Sequence, residues 1–80
     1  QTGDYDTAKK LLDETLAQDA DNTLVLYNLG LTEYKLGNPG KALGYWRKAI
    51  NLSPGFSAVE DAIDYAQSQM RLITQEDSAL

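Results

Sequence analysis

The chain repeats itself at an interval of 34 residues: Gly3 returns as Gly37, Tyr5 as Pro39, Ala8 as Ala42, Leu12 as Trp46 and Leu16 as Ile50. An interval of that length holds two short helices and their turns. No single unit of this kind buries its own apolar face, so the chain must stack such units side by side. One full unit lies within the sequence, residues 23–56. It is preceded by half a unit, residues 3–22, and followed by a helical segment over 57–73.

The residues between the repeat positions support this division. Asp4 is placed to cap a first helix over Tyr5 to Gln18, in which Ala8, Leu11, Leu12, Thr15 and Leu16 share one arc at 100° per residue. Lys9, Lys10, Asp13 and Glu14 lie outside that arc. Asp21 or Asn22 suits the cap of a second helix, Leu24 to Leu36, which is apolar on two sides. Val25, Leu26, Leu29 and Leu36 form one stripe, and Leu24, Tyr27, Leu31 and Tyr34 form another. A helix of that character has neighbours on more than one face. Gly30 sits mid-helix at a cost of roughly 1 kcal/mol relative to Ala, tolerable where another chain segment comes close.

Gly37 suits the left-handed position after a helix, Asn38 a cap and Pro39 a first helical turn, so a third helix is expected from Pro39 to Leu52. It gathers Ala42, Leu43, Trp46, Ala49 and Ile50, and leaves Gly44, Arg47, Lys48 and Asn51 to water. Pro54 and Gly55 end it. Ser57 and Glu60 have the spacing of a capping box for a fourth helix, Ala58 to Ile73, whose dry face is Val59, Ala62, Ile63, Ala66, Met70 and Ile73. The polar tail, residues 74–80, is expected to be disordered. At 80 residues the whole is one small domain of marginal stability.

Several functions are excluded or disfavoured by what the residues lack. A net charge of -5 is wrong for a partner built on a phosphate backbone, so nucleic acid is not expected. With no Cys and no His, disulfides, thiolate sites and the commonest general base and metal ligand are missing. No apolar run approaches the about 20 residues that a membrane span needs. Gly37 to Ala42 imitates a phosphate-binding loop, but the spacing is short, no Ser or Thr follows Lys41, and no strand precedes it. Asp19 to Asn22 opens like a calcium loop, yet Leu24 and Gly30 stand where such a loop needs its Gly and its bidentate Glu. Glu60, Asp61 and Asp64 read as a solvated face, and Asn51 in its glycosylation-like triplet precedes Pro54 within a helix. No catalytic set, metal site or cofactor site results, and an enzyme is not expected. The start at Gln1, without Met or a signal core, leads to the expectation of a segment cut from a longer polypeptide, with the choice of cytoplasm or periplasm left open.

With Tyr27, Asn28, Leu29 and Gly30 in one run, then Gly37, Asn38, Ala42, Trp46, Ala49, Ile50 and Pro54, the chain resembles the tetratricopeptide repeat across the central unit and the half-unit before it. Its signature positions here are Leu26, Leu29, Gly30, Gly37, Ala42, Trp46, Ala49 and Pro54. The resemblance implies an all-α fold: antiparallel helix-turn-helix repeats, a fragment of an α-solenoid with about four helices in right-handed superhelical stacking. It further implies a protein-interaction scaffold that takes a peptide or helix of a partner on a concave face lined by the first helix of each unit. Mapped onto this sequence, that face comprises Leu24, Tyr27, Asn28, Leu31, Tyr34 and Lys35, continued by Asp61 and Tyr65. The family's grip on a C-terminal carboxylate is incomplete, because Asn28 matches it but Leu24, Ala58 and Ala62 occupy the basic positions.

Glu60, Asp64 and Gln67 stand where the motif wants an aromatic, a Gly and a Tyr, so the last helix resembles the solvating cap of such arrays. Lys35 to Ala42 and the closing helix are also similar to exported bacterial aerotolerance-type repeat proteins. The competing expectation is a purely structural or self-assembling repeat, with weak self-association through the strip Ala8, Leu12 and Leu16 on the first helix.

Overall fold

A computed structural model describes residues 2–79, with side chains described over residues 4–73. Four helices follow one another: α1 (Thr2–Gln18), α2 (Thr23–Lys35), α3 (Pro39–Leu52) and α4 (Ser57–Ala79), with no strand among the described residues. Each packs on the next in chain order, α2 on α3 most extensively. The result is a slab of 47 × 32 × 15 Å, as stacked hairpins produce and a closed bundle does not.

The turns show how the sequence sets these boundaries. Asn22 caps α2, its Oδ1 accepting from the Val25 amide at 3.1 Å. At the other end of α2, Gly37 adopts φ 87°, and its N–H donates to the Tyr34 carbonyl (3.1 Å) while that of Asn38 donates to Glu33 (2.8 Å). This bond pair closes a helix with a left-handed residue, which glycine adopts without strain. Pro39 opens α3 as expected, but Asn38 makes no side-chain cap there. Its amide is used on Glu33 instead, donating to Oε1 at 2.9 Å.

The structure departs from expectation at several points. Helix α1 begins at Thr2, so Asp4 lies inside its first turn rather than capping it. Gly3 is helical where Gly37 is in a turn, so that pair of the 34-residue alignment is not structurally equivalent. The carbonyl of Phe56 accepts from Val59 and Glu60, which makes Phe56 the N-cap of α4 and Ser57 its first helical residue. The expected Ser57/Glu60 box is therefore displaced by one position. Finally, α4 runs on to Ala79 where a disordered tail over 74–80 was expected, because nothing after Gly55 is a Gly or Pro that would stop it. Leu80 lies outside the described residues.

The core is built on α2 and α3. Leu26, Leu29, Ala42, Ala49, Val59 and Ala66 have no exposed surface, and Trp46 only 2%. Small residues at 42 and 49 let backbones approach, and the indole fills what remains. Ala42→Leu should therefore overpack the α2/α3 contact and cost about 1–3 kcal/mol, read as a lowered urea midpoint. At the edges of the slab burial falls away: Ala8, Leu12 and Leu16 are half-buried and Leu11 is exposed. Helix α4 has nine residues more than α3 and at 1.5 Å per residue outruns it by about 13 Å. Ile73, expected on the dry face, is for that reason 61% exposed, with Leu72 beside it.

Candidate functional site

Two clefts of about 520 Å³ each open on this slab. The first lies between α2 and α4, with Trp46 of α3 behind it. Residues three, four and seven apart on a helix share a side, and Tyr27, Leu31, Tyr34 and Lys35 accordingly line one wall. Asp61, Ala58, Ala62 and Tyr65 form the other. Of the residues expected on a binding face, six are thus brought together. Leu24 and Asn28 are not. Leu24, 58% exposed in the first turn of α2, and Asn28, half-buried, do not line the cleft.

Aromatic rings give this cleft its character. Tyr34 meets Trp46 at 6.0 Å between centroids and 34°, and meets Tyr65 edge-on at 6.0 Å and 64°. Tyr27 meets Phe56 at 5.6 Å. The wall is fixed from behind, since the Trp46 Nε1–H donates to the Tyr27 carbonyl at 3.1 Å. Tyr27, Leu31 and Tyr34 are half-buried, while Tyr65 is 58% exposed. Phe56 and Trp46 were not expected here. Phe56 follows Pro54 and Gly55 outside any helical period, and Trp46 reads from sequence as core alone.

The second cleft lies between α1 and α3, lined by Lys9 and Asp13 on one side and Lys41, Gly44, Tyr45 and Lys48 on the other. At its base is Glu33, a carboxylate only 1% exposed. Lys9, 32% exposed, reaches it at 3.0 Å, and Asn38 donates to its other oxygen. Burial by itself pushes the Glu33 carboxyl up, but the Asn38 and Lys9 hydrogen bonds, with the charges of Lys9 and Lys41, outweigh burial and hold it below its ordinary 4.5. The same hydrogen bond and the Glu33 charge raise Lys9 above 10.5. Tyr45 is raised too, by burial first and then by Asp13 and Glu33, so its hydroxyl stays protonated at neutral pH. This arrangement joins three pieces of chain, α1, α2 and the α2/α3 turn, through one buried charge.

Neither cleft holds a recognisable catalytic set. Among the described residues no three His, Cys, Asp or Glu side chains converge as metal ligands. No described helix is long and apolar enough to cross a membrane.

The fold defines a helical-repeat segment, a class of protein-interaction scaffolds in general. The tetratricopeptide-repeat family model matches residues 23–56, the stretch that holds α2 and α3 and ends just before α4. No curated protein matches the chain, and the narrower likeness to aerotolerance-type proteins has no support. Within the repeat, Leu26, Leu29, Gly30, Ala42, Trp46 and Pro54 fall on the pattern positions, and Glu33 stands where the pattern has Tyr.

Proposed function

We propose that the cleft between α2 and α4 binds a segment of a partner protein. The observation that carries this reading is the set of rings and apolar side chains left uncovered there: Tyr27, Leu31 and Tyr34 half-buried on one wall and Tyr65 more than half exposed on the other. Large aromatic side chains with a polar tip are the usual anchors of protein interfaces, since they bury much area at little entropic cost. An extended or helical segment fits such a groove, and the missing basic residues at 24, 58 and 62 argue against capture of a terminal carboxylate.

The test is selection of binders to the folded protein from a display library of random dodecapeptides. Binders are expected to weaken by about tenfold or more on Tyr65→Ala, with the stability from urea unfolding changed by no more than about 0.5 kcal/mol, because that ring is mostly exposed. Tyr27→Ala and Tyr34→Ala should weaken binding as well, with some loss of stability because both rings pack against the core. Binders indifferent to all three substitutions, or a Tyr65→Ala protein that unfolds as if a core residue had been removed, would show that the cleft serves packing within the chain.

A further inference from the structure

The cleft between α2 and α4 contains two charged side chains of opposite sign, Lys35 and Asp61. Neither has an ion-pair partner among the described residues. On the reading that this cleft receives a partner segment, we propose that the segment brings a Lys or Arg side chain to Asp61, with its cation held against the rings of Tyr34 and Tyr65.

The sign follows from what surrounds the space. Aromatic rings carry a negative face and attract a cation placed within about 6 Å of the centroid, while the same face repels a carboxylate. Tyr34 and Tyr65 meet edge-on, an arrangement that leaves ring face uncovered, and Tyr65 remains more than half exposed. Asp61 lies four residues before Tyr65, one turn along the same wall, so a cation lodged on the ring is within reach of its carboxylate. Glu60 and Asp64, exposed on the same helix, add negative potential from the flank, and the whole chain carries -5. Against these stands Lys35 alone, exposed in the last turn of α2. The balance favours a basic side chain, and a guanidinium uses the ring faces and the carboxylate together.

The random-dodecapeptide selection separates this inference from the reading beneath it. Binders that need Tyr65 should share a Lys or Arg. Replacing that residue with citrulline, which keeps the shape of Arg without its charge, should weaken binding about tenfold, as should Asp61→Asn in the protein. Asp61 is exposed, so Asp61→Asn and Asp61→Lys should leave the urea midpoint unchanged. Selection against the Asp61→Lys protein should enrich Asp or Glu in place of the basic residue. Binders that depend on Tyr65 and Tyr27 yet carry no basic residue, or that hold Asp61→Asn as tightly as the parent, overturn the inference and leave the groove standing. Binders that ignore Tyr27, Tyr34 and Tyr65 alike remove the groove itself, and binders that need Tyr27 and Tyr34 but not Tyr65 overturn the inference. Self-association of the purified chain that disappears on Tyr65→Ala would place a second copy in the cleft and would equally overturn the proposal.

Discussion

Gly30→Ala should cost this domain about 2–4 kcal/mol, although alanine is the better helix former by roughly 1 kcal/mol. A Cβ added at Gly30 would lie 2.1 Å from Trp46 Nε1, 2.4 Å from Cδ1 and 2.6 Å from Cε2. The obstacle is the body of an indole that is 2% exposed and tied by its Nε1–H to the Tyr27 carbonyl, so it has no free end to swing aside. Either the ring leaves its site, forfeiting part of the roughly 3–5 kcal/mol that a buried Trp contributes, or α2 and α3 move apart along their main contact. A domain of 80 residues has little stability to spare, so a measurable unfolded fraction in the absence of denaturant is the expected result.

The control is Gly44→Ala. That glycine is also in the middle of a helix, but an added Cβ there meets nothing within 4 Å, so the substitution should stabilise by about 0.5–1 kcal/mol. Urea unfolding followed by helical circular dichroism reads both. If the two glycines shift the midpoint in the same direction, close approach is not what Gly30 is for. Combining Gly30→Ala with Trp46→Leu should recover part of the loss, since residues in contact do not contribute additively.

Much of this architecture could be read from residue spacing because the decisive contacts repeat. Gly30 opposite Trp46 is a small residue against a large one in the same unit, and the Tyr27, Leu31 and Tyr34 stripe has the helical period. Both are local signals. What escaped was carried by charge or by distance in sequence. Glu33 falls on the buried stripe, seven residues after Leu26 and four after Leu29, yet a carboxylate suggests water until its partners are known. Those partners arrive from α1 and from the turn after α2, and no periodicity within α2 announces them. Phe56 joins the aromatic wall from a turn, where side-chain direction is set by the chain's path. Helix α4 extends further than its polar composition suggests, because no Gly or Pro after Gly55 stops it.

The buried pair leads to the other large effect, and it has a sign that pH reveals. Glu33→Gln should cost about 1.5–3 kcal/mol, because it removes a charge-assisted hydrogen bond with Lys9 and leaves a neutral amide at the base of the cleft. In the parent protein, the Glu33 contribution is fully present above its ordinary value of 4.5 and is lost as pH falls through the lower folded-state value. The Lys9 contribution is present below 10.5 and is lost as pH rises through its raised value. Between those limits the pair is insensitive to pH, and with no His in the chain no side chain of ordinary pKa titrates from pH 5 to 8 to obscure this. Lys9→Met inverts the behaviour. Burial, the largest influence on Glu33 and an upward one, is then opposed only by the Asn38 hydrogen bond and the Lys41 charge, and the carboxyl should rise above its ordinary value. A group raised in the folded state destabilises while it is ionised, so the Lys9→Met protein should be weakened at pH 7 and should recover as pH falls toward 5. Replacing both partners, Lys9→Met with Glu33→Leu, should restore stability to the parent level or better, since the apolar pair needs no desolvation of charge. Urea midpoints at pH 5 and 7 for the four proteins settle the matter. A Lys9→Met protein whose stability does not rise between pH 7 and 5 would mean that Glu33 is held by Asn38 and solvent, with Lys9 a bystander.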